Sequence, residues 1–236
     1  ESAWGNGDGD LWAVGEDQNF LEGIALKCSG TICISIRLAT NFLETQTNVW
    51  GSGNGDAWLV AGSRLGSATA FKCSGITCSR ASFRTSISSP RSVWGSNSGE
   101  IWVVGDRGRI ERCSADSCAS VLSGTGTRLN SVRVSGNGDA WAIGEDGTVL
   151  KCNTTGCTTV SSGVRDYVSS LWGNDSGVVW AVGANGLILK CNSTGCSPVT
   201  SGTTSQLNQV SGSGSGNVWA VGEGGAVVKC EGTACP

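Results

Sequence analysis

A tryptophan recurs along this chain at intervals close to 40 residues, and a pair of cysteines follows each copy. The six tryptophans are Trp12, Trp58, Trp102, Trp141, Trp180 and Trp219, and the last three intervals are 39 residues each. All six cysteine pairs have the spacing C-x4-C. Self-similarity of this period is typical of solenoids, propellers and other arrays of one supersecondary unit. The chain therefore consists of six copies of one short repeat.

Each repeat has the pattern of four short strands joined by tight turns. In the fourth repeat we expect strand A at Leu129–Val134, strand B at Ala140–Gly144, strand C at Thr148–Cys152 and strand D at Cys157–Ser161. Gly, Asn and Asp dominate the intervening turns, because they tolerate positive φ or close hairpins. No apolar stripe of helical period is present, which argues against an α-solenoid. Four strands in about 40 residues is the pattern of a propeller blade.

The sequence therefore predicts an all-β fold, a six-bladed β-propeller with four antiparallel strands per blade, in a single domain over residues 1–236. The predicted blades are 1–43, 44–89, 90–127, 128–166, 167–205 and 206–236. The last repeat stops at Pro236, just after its second cysteine, so we expect its strand D to be nearly missing. An open strand edge of that kind favours pairing with another chain.

The cysteines of each repeat flank the turn between strands C and D. Residues five apart across a four-residue turn oppose each other at a distance that a disulfide can bridge. The predicted disulfides are Cys28–Cys33, Cys73–Cys78, Cys113–Cys118, Cys152–Cys157, Cys191–Cys196 and Cys230–Cys235. Zinc is the rival interpretation, but the chain has no His and each pair lies in a separate repeat. We therefore expect no metal, and an oxidising location, either secreted or at the cell surface.

A second tryptophan precedes the repeated one by eight residues in four repeats, at Trp4, Trp50, Trp94 and Trp172. Arg133 and Ser211 hold the same position in repeats four and six. Because Trp50 and Trp58 are symmetric about the A–B turn, we expect them to face each other across the hairpin. These rings either fill the space between blades or lie open and stack on a sugar. The candidate ligand-binding residues are Trp4, Trp50, Trp94, Trp172 and Arg133.

Insertions are confined to repeats one and two, in the B–C and D–A segments. Aromatic and basic residues accompany them, and binding residues are common on variable loops carried by a rigid scaffold. The candidate partner-binding residues are Phe20, Phe42, Arg64 and Phe83. The alternative is that these loops are longer only because loop closure costs rise slowly with length.

Catalysis and nucleic-acid binding are both disfavoured by composition. The chain has no His, a single Tyr, and twelve Cys that the disulfides account for. This removes the commonest general base and the usual activated nucleophiles, so we predict no catalytic residue and no cofactor. A glycan-processing enzyme whose carboxylates converge from different blades stays as an alternative. A net charge of −3 with 15% charged residues disfavours nucleic acid, and no apolar run is long enough to be a transmembrane segment.

Segments such as Val49-Trp50-Gly51-Ser52 and Val218-Trp219-Ala220-Val221-Gly222 resemble the repeats of bacterial extracellular β-propellers. The resemblance extends over all six repeats, although C-x4-C stands where many such repeats carry an Asp-box-like turn. The architecture is also similar to propeller lectins of the tachylectin-2 type. The resemblance implies a non-enzymatic binding or adhesion module with lectin-like carbohydrate binding. The alternative is a structural or protein-interaction propeller, for which the partner is a cell-surface protein or a second copy through the open terminal blade.

Overall fold

Six antiparallel sheets make up the fold, and each lies within one predicted repeat. The structure is a computed structural model, which describes residues 2–5, 9–17, 22–38, 44–52, 55–63, 68–81, 86–87, 89–95, 99–114, 117–135, 138–173, 177–213, 217–231 and 234–235. In every sheet, strands that are consecutive in the chain are hydrogen-bonded neighbours. This meander is what short strands joined by tight turns produce.

The first three sheets have four strands each. The first sheet contains β1 (Ser2–Gly5), β2 (Asp10–Asp17), β3 (Glu22–Ser29) and β4 (Ile32–Arg37). The second contains β5 (Glu44–Gly51), β6 (Ala57–Ser63), β7 (Ala68–Ser74) and β8 (Thr77–Arg80). The third contains β9 (Pro90–Gly95), β10 (Ile101–Gly105), β11 (Ile110–Cys113) and β12 (Cys118–Val121).

The remaining sheets follow the same plan, with one difference in the last. The fourth contains β13 (Leu129–Val134), β14 (Ala140–Gly144), β15 (Val149–Cys152) and β16 (Cys157–Thr159). The fifth contains β17 (Val168–Gly173), β18 (Val179–Gly183), β19 (Ile188–Asn192) and β20 (Gly195–Pro198). The sixth contains β21 (Leu207–Gly212), β22 (Asn217–Gly222) and β23 (Val227–Glu231). Single 3₁₀ turns lie at Asp106–Gly108, Ala184–Gly186 and Glu223–Gly225.

The sixth sheet differs from the other five in the number of strands that are described. Among the residues that the structure describes, it has three strands, and Ala234 forms only an isolated bridge to Glu231. For the described residues, this agrees with the expectation that strand D of this repeat is nearly missing.

In the fourth repeat, the predicted strands A and B have the observed bounds, and strands C and D are shorter than predicted. Strand C begins at Val149 because the amide of Thr148 donates to the carbonyl of Glu145 (3.0 Å) and closes the preceding turn. Strand D ends at Thr159, and the carbonyl of Ser161 instead accepts from the amide of Cys196 (3.0 Å) in the next repeat. Local turn closure and contacts between repeats thus shorten strands whose composition favours β structure.

All six predicted disulfides are confirmed, and no free cysteine remains. Each links the two sides of a C–D turn, with the two Cα atoms 4.0 Å apart. No helix in the described part of the chain has the length and hydropathy needed to cross a bilayer.

The chain divides into two compact units of three sheets. Unit one comprises Glu1–Asp106 and Ile110–Ser120, and unit two comprises Arg107–Arg109 and Val121–Pro236. Within each unit, consecutive sheets pack face to face around shared apolar clusters. Their first strands, such as β1 and β5 or β17 and β21, lie beside each other.

Each sheet has a tryptophan face and an aliphatic face, because side chains alternate along a strand. In the second sheet the tryptophan face carries Trp50, Trp58, Val60 and Ala70, and the aliphatic face carries Val49, Ala57, Leu59 and Phe71. The tryptophan face of one sheet packs on the aliphatic face of the next for sheets one and two, two and three, four and five, and five and six. Removing this apolar area from water is the main stabilising contribution to each unit.

Candidate functional site

The candidate tryptophans lie in the first strand of their sheets, paired with the repeated tryptophan of the second strand. The register partners are Trp4 with Trp12, Trp50 with Trp58, Trp94 with Trp102, and Trp172 with Trp180. The predicted cross-hairpin pairing is therefore confirmed. Trp50 and Trp172 are only 5% and 7% exposed, whereas Trp4 and Trp94 are half-buried.

Three of these indole rings, those of Trp4, Trp50 and Trp172, pack against a glycine of the following sheet. A Cβ atom on Gly51 would lie closer than 3.0 Å to ring carbons of Trp4, and one on Gly95 would lie equally close to Trp50. Between the fifth and sixth sheets, a Cβ atom on Gly212 would lie 3.0 Å from ring carbons of Trp172. These three tryptophans of strand A thus fill the space between blades, and the covered rings of Trp50 and Trp172 have no open face for a sugar.

Arg133 takes the place of this tryptophan in the fourth sheet and makes the same kind of contact with the fifth. Its guanidinium lies over the ring of Trp172, 5.6 Å from the ring centroid. Its Nε donates to the carbonyl of Gly173 at 2.9 Å. The loss of a tryptophan at this position is therefore repacked by a cation–π contact and a hydrogen bond rather than left as a pocket.

The second prominent feature is a set of three exposed side chains on left-handed turns between strands B and C. Among the described residues other than glycine, Arg107 (φ 60°), Asp146 (φ 54°) and Asn185 (φ 56°) have positive φ. Gly224 holds the same turn position in the sixth sheet with φ 64°. Left-handed backbone costs a residue such as Arg107 about 1–2 kcal/mol, whereas Asp and Asn adopt it more readily. All three side chains are exposed to solvent.

Hydrogen bonds between each turn and the preceding D–A connection hold these residues in place. The amide of Glu145 donates to the carbonyl of Arg128 (3.0 Å), and the amide of Ala184 donates to the carbonyl of Tyr167 (2.9 Å). In the three turns that carry a side chain, the final glycine is packed against the D–A connection that follows the sheet: a Cβ on Gly147 would meet the carbonyl oxygen of Val164 at less than 3.0 Å. The turns are therefore rigid supports for the side chains they display.

The side chains on this edge of unit two are polar and aromatic. Arg128 and Glu145 form an ion pair at 3.0 Å, and Nδ2 of Asn185 donates to Oδ1 of Asp166 at 3.0 Å. Arg165 is exposed, and Tyr167 is 38% exposed. We name the side chains of Arg107, Asp146, Arg165, Tyr167 and Asn185 the turn edge of unit two. Arg and Tyr are enriched at the energetically important positions of protein interfaces.

Glu111 is a buried carboxylate that the sequence analysis missed. It is 3% exposed and lies in β11 at the position where other sheets carry an apolar residue, such as Leu150 or Leu189. Its Oε1 accepts from the amide of Ser86 at 2.9 Å and also from the hydroxyl of Ser86. Aligning the six repeats would have identified it, because an acidic residue replaces an aliphatic one.

The surroundings of Glu111 do not provide a metal site. The sulfur atoms of Cys113 and Cys118 lie close to its carboxylate. Both sulfurs belong to one disulfide and so cannot act as thiolate ligands.

The predicted partner-binding residues Phe20, Phe42, Arg64 and Phe83 lie outside the described residues. The hypothesis that the enlarged loops of repeats one and two bind a partner therefore stays a prediction.

Comparisons with known proteins identify the fold. No family model matches the sequence, and no curated protein matches it. A structure described as YCF48 bound to D1 peptide superposes with a TM-score of 0.73 at 18% identity, covering 98% of this chain and 77% of that one. YCF48 from Cyanidioschyzon merolae gives a TM-score of 0.69 at 15% identity, covering 98% of this chain and 82% of that one.

A more distant structure, the WD40 β-propeller domain of Doa1, gives a TM-score of 0.61 at 11% identity, covering 81% of this chain and 70% of that one. At such low identities the likeness shows the fold alone. The predicted all-β, six-bladed β-propeller is confirmed, with three strands rather than four described in the sixth blade.

Proposed function

We propose that this chain is a non-enzymatic, protein-binding propeller that contacts an extended peptide segment of its partner through the turn edge of unit two. The observation that carries the proposal is the left-handed backbone of Arg107. Glycine would fit this position without strain, as Gly224 does in the sixth sheet. Strained residues that persist on the surface are concentrated at binding and catalytic sites.

Two further observations support a protein partner. The candidate sugar-stacking rings of Trp50 and Trp172 are covered by the next sheet, whereas Arg165 and Tyr167 are exposed on a rigid edge. A structure similar to this chain is described as bound to a peptide, although the low identity transfers no residue from it. Propellers commonly bind partners with the loops at one end of their blades, because loops carry binding residues on a rigid scaffold.

The six disulfides support an oxidising, extracellular location for this interaction. A binding surface held by backbone hydrogen bonds loses little conformational entropy when a partner binds. A cell-surface or secreted protein is the partner that such a location implies.

The experiment is selection from a random peptide library displayed on phage, with the oxidised full chain as bait. Affinities of selected peptides are then measured by calorimetry. We expect Arg107→Gly to weaken binding at least about tenfold, because it removes the displayed side chain and keeps the turn. Ser193→Ala is the matched control, since Ser193 is exposed at a C–D turn on the opposite edge of its sheet.

Two outcomes would count against the proposal. The first is that no peptide is enriched over a bait that has been reduced and unfolded. The second is that selected peptides bind the Arg107→Gly and Arg165→Ala variants as tightly as they bind the unchanged chain.

Carbohydrate binding is the second candidate function, and the half-buried rings of Trp4 and Trp94 favour it. A partly open indole face can stack on the apolar face of a pyranose. A glycan-array screen of the oxidised chain tests it, with Trp94→Ala as the variant. Glycan binding that is lost in this variant would support a lectin. A blank array would leave protein binding as the remaining one of the two candidate functions.

A further inference from the structure

Two C–D turns of unit two carry the triplet Asn-x-Thr. The triplet occupies residues 153–155 in the fourth sheet and 192–194 in the fifth, in each case directly after the first cysteine of the disulfide. Every residue of both triplets is exposed. With any residue except proline in the middle, this triplet is the acceptor sequence for N-linked glycans on surface loops of secreted proteins. Both turns are therefore candidate modification sites.

The two asparagines make the same three hydrogen bonds. Oδ1 of Asn153 accepts from the amide (2.9 Å) and the hydroxyl (2.7 Å) of Thr155, and from the amide of Gly156 (3.2 Å). The corresponding distances from Oδ1 of Asn192 are 2.9, 2.6 and 3.2 Å. In both turns, the threonine hydroxyl that the acceptor sequence requires is thus held against the side-chain amide of the asparagine.

The side-chain nitrogen of each asparagine is accessible. Nδ2 of Asn153 and Nδ2 of Asn192 have no hydrogen-bond partner among the described residues. Because the amide group is planar, the bonds that turn Oδ1 towards the backbone turn Nδ2 away from it. The atom to which a glycan would be attached therefore faces solvent in both turns.

Closing the disulfide loop does not by itself require this triplet. The first two sheets close the same C-x4-C loop with serine in place of the asparagine, followed by a glycine with positive φ, Gly30 (59°) or Gly75 (60°). The hydrogen bonds of Asn153 join residues at most three apart in sequence. The acceptor geometry is therefore local, and it is available once the hairpin forms and before the blades pack.

Both asparagines lie at the end of their sheets that is opposite the turn edge of unit two. Strand C runs from the B–C turn to the C–D turn, and in the fourth sheet Val149–Cys152 spans about 13 Å at the usual rise of a strand. A glycan at either asparagine is thus compatible with a partner at the turn edge, and its presence does not depend on the proposed function.

We propose that Asn153 and Asn192 are sites of N-linked glycosylation. In the transfer, Nδ2 forms a bond to C1 of an oligosaccharide that is supplied as a polyprenyl diphosphate conjugate. The bond between C1 and the diphosphate oxygen breaks, the lipid diphosphate leaves with the electron pair, and Nδ2 loses one proton. Export through an oxidising compartment, which the six disulfides support, is where such transfer takes place.

The test is peptide mass mapping of the full chain secreted from cultured insect cells. Asn174 begins a third acceptor triplet outside the described residues, so the test chain carries Asn174→Gln. Release of glycans with a peptide N-glycosidase converts each occupied asparagine to aspartate, and the map locates it. We expect occupied sites at Asn153 and Asn192, and loss of one of them in each of the variants Asn153→Gln and Asn192→Gln.

Thr155→Val and Thr154→Ala are matched variants of one turn. The first removes the hydroxyl and keeps the shape of the side chain, so Asn153 should be unmodified. The second keeps the acceptor triplet, so Asn153 should remain glycosylated. A purification tag with its own Asn-Ala-Thr triplet reports that each chain has reached the glycosylating compartment. Mapping of both medium and cell extract includes any variant that is retained in the cells.

Three results would count against the proposal. A glycosylated tag on a chain whose Asn153 and Asn192 are both unmodified overturns it. Occupancy of one asparagine alone overturns it for the other. Equal modification of Asn153 in Thr155→Val and in the unchanged turn would show that the modification is not glycosylation of the acceptor triplet.

Discussion

The indole ring of Trp50 occupies the space that a Cβ atom on Gly95 would need. The two residues lie on the first strands of consecutive sheets, so this contact sets how closely the second and third sheets approach. The same relationship joins Trp4 to Gly51. Tryptophan and glycine therefore act as a pair: the large ring on one sheet requires the absence of a side chain on the next.

Replacing Gly95 with alanine is expected to lower the free energy of unfolding by about 1–3 kcal/mol, the usual cost of overpacking a well-filled core. Urea denaturation of the oxidised chain measures the change. Gly126→Ala is the control, because Gly126 has no atom within 4 Å of a built Cβ and no positive φ. Its effect should stay within about 0.5 kcal/mol. Equal stability of the Gly95→Ala and unchanged chains would show that the sheets can move apart without cost.

Arg107→Gly is expected to raise the free energy of unfolding by up to about 1 kcal/mol. It relieves left-handed strain of about 1–2 kcal/mol, and the extra freedom of glycine in the unfolded chain offsets about 0.5–1 kcal/mol of that gain. The reciprocal change, Gly224→Arg, places a side chain on the equivalent backbone and should lower stability by a similar amount. Thermal denaturation of both variants provides the comparison. A large loss of stability in Arg107→Gly would mean that this side chain has a structural role instead of the proposed binding role.

Contacts within one repeat could be predicted from the sequence, whereas contacts between repeats could not. The pairing of Trp50 with Trp58 was predictable, because both residues lie in one hairpin and are symmetric about its turn. The disulfides followed for the same reason. The residue against which the Trp50 ring packs could not be predicted from the hairpin, since Gly95 lies in the next repeat. The recurring Trp-Gly dipeptide was the available signal, and only the packing of two sheets explains it.

The binding candidates were less predictable than the fold, for a physical reason. Tryptophan suits both an inter-blade core and a sugar platform, so its presence alone does not separate the two functions. The left-handed φ of Arg107 could not be predicted from the sequence, because arginine is not a residue that favours this backbone conformation. Glu111 differs, because an acidic residue in an aliphatic column of the repeat is visible in the sequence alone.

Glu111→Leu is expected to raise the free energy of unfolding by about 1–2 kcal/mol at neutral pH. Buried carboxylates are costly to desolvate, and Oε2 of Glu111 has no hydrogen-bond partner among the described residues. The leucine matches the residue at this position in the fourth and fifth sheets, and the exposed Ser86 can donate to water instead. Urea denaturation tests the change, with Glu111→Gln as the variant that keeps the shape and removes the charge. Destabilisation of both variants by more than about 1 kcal/mol would indicate that the charged hydrogen bonds to Ser86 hold the segment before β9 in place.

Each disulfide is expected to add a small, separate increment to the free energy of unfolding. Each closes a loop with a sequence separation of 5 residues, for which loop-closure entropy gives about 2 kcal/mol. The variant Cys152→Ala with Cys157→Ala should therefore lose about 2 kcal/mol and remain folded. Full reduction removes six such increments, a sum comparable with the whole stability of a domain of about 5–15 kcal/mol. We expect the reduced chain to lose its sheet signal in circular dichroism at ambient temperature. A reduced chain that stays folded would show that the packing of tryptophan against aliphatic faces is sufficient on its own.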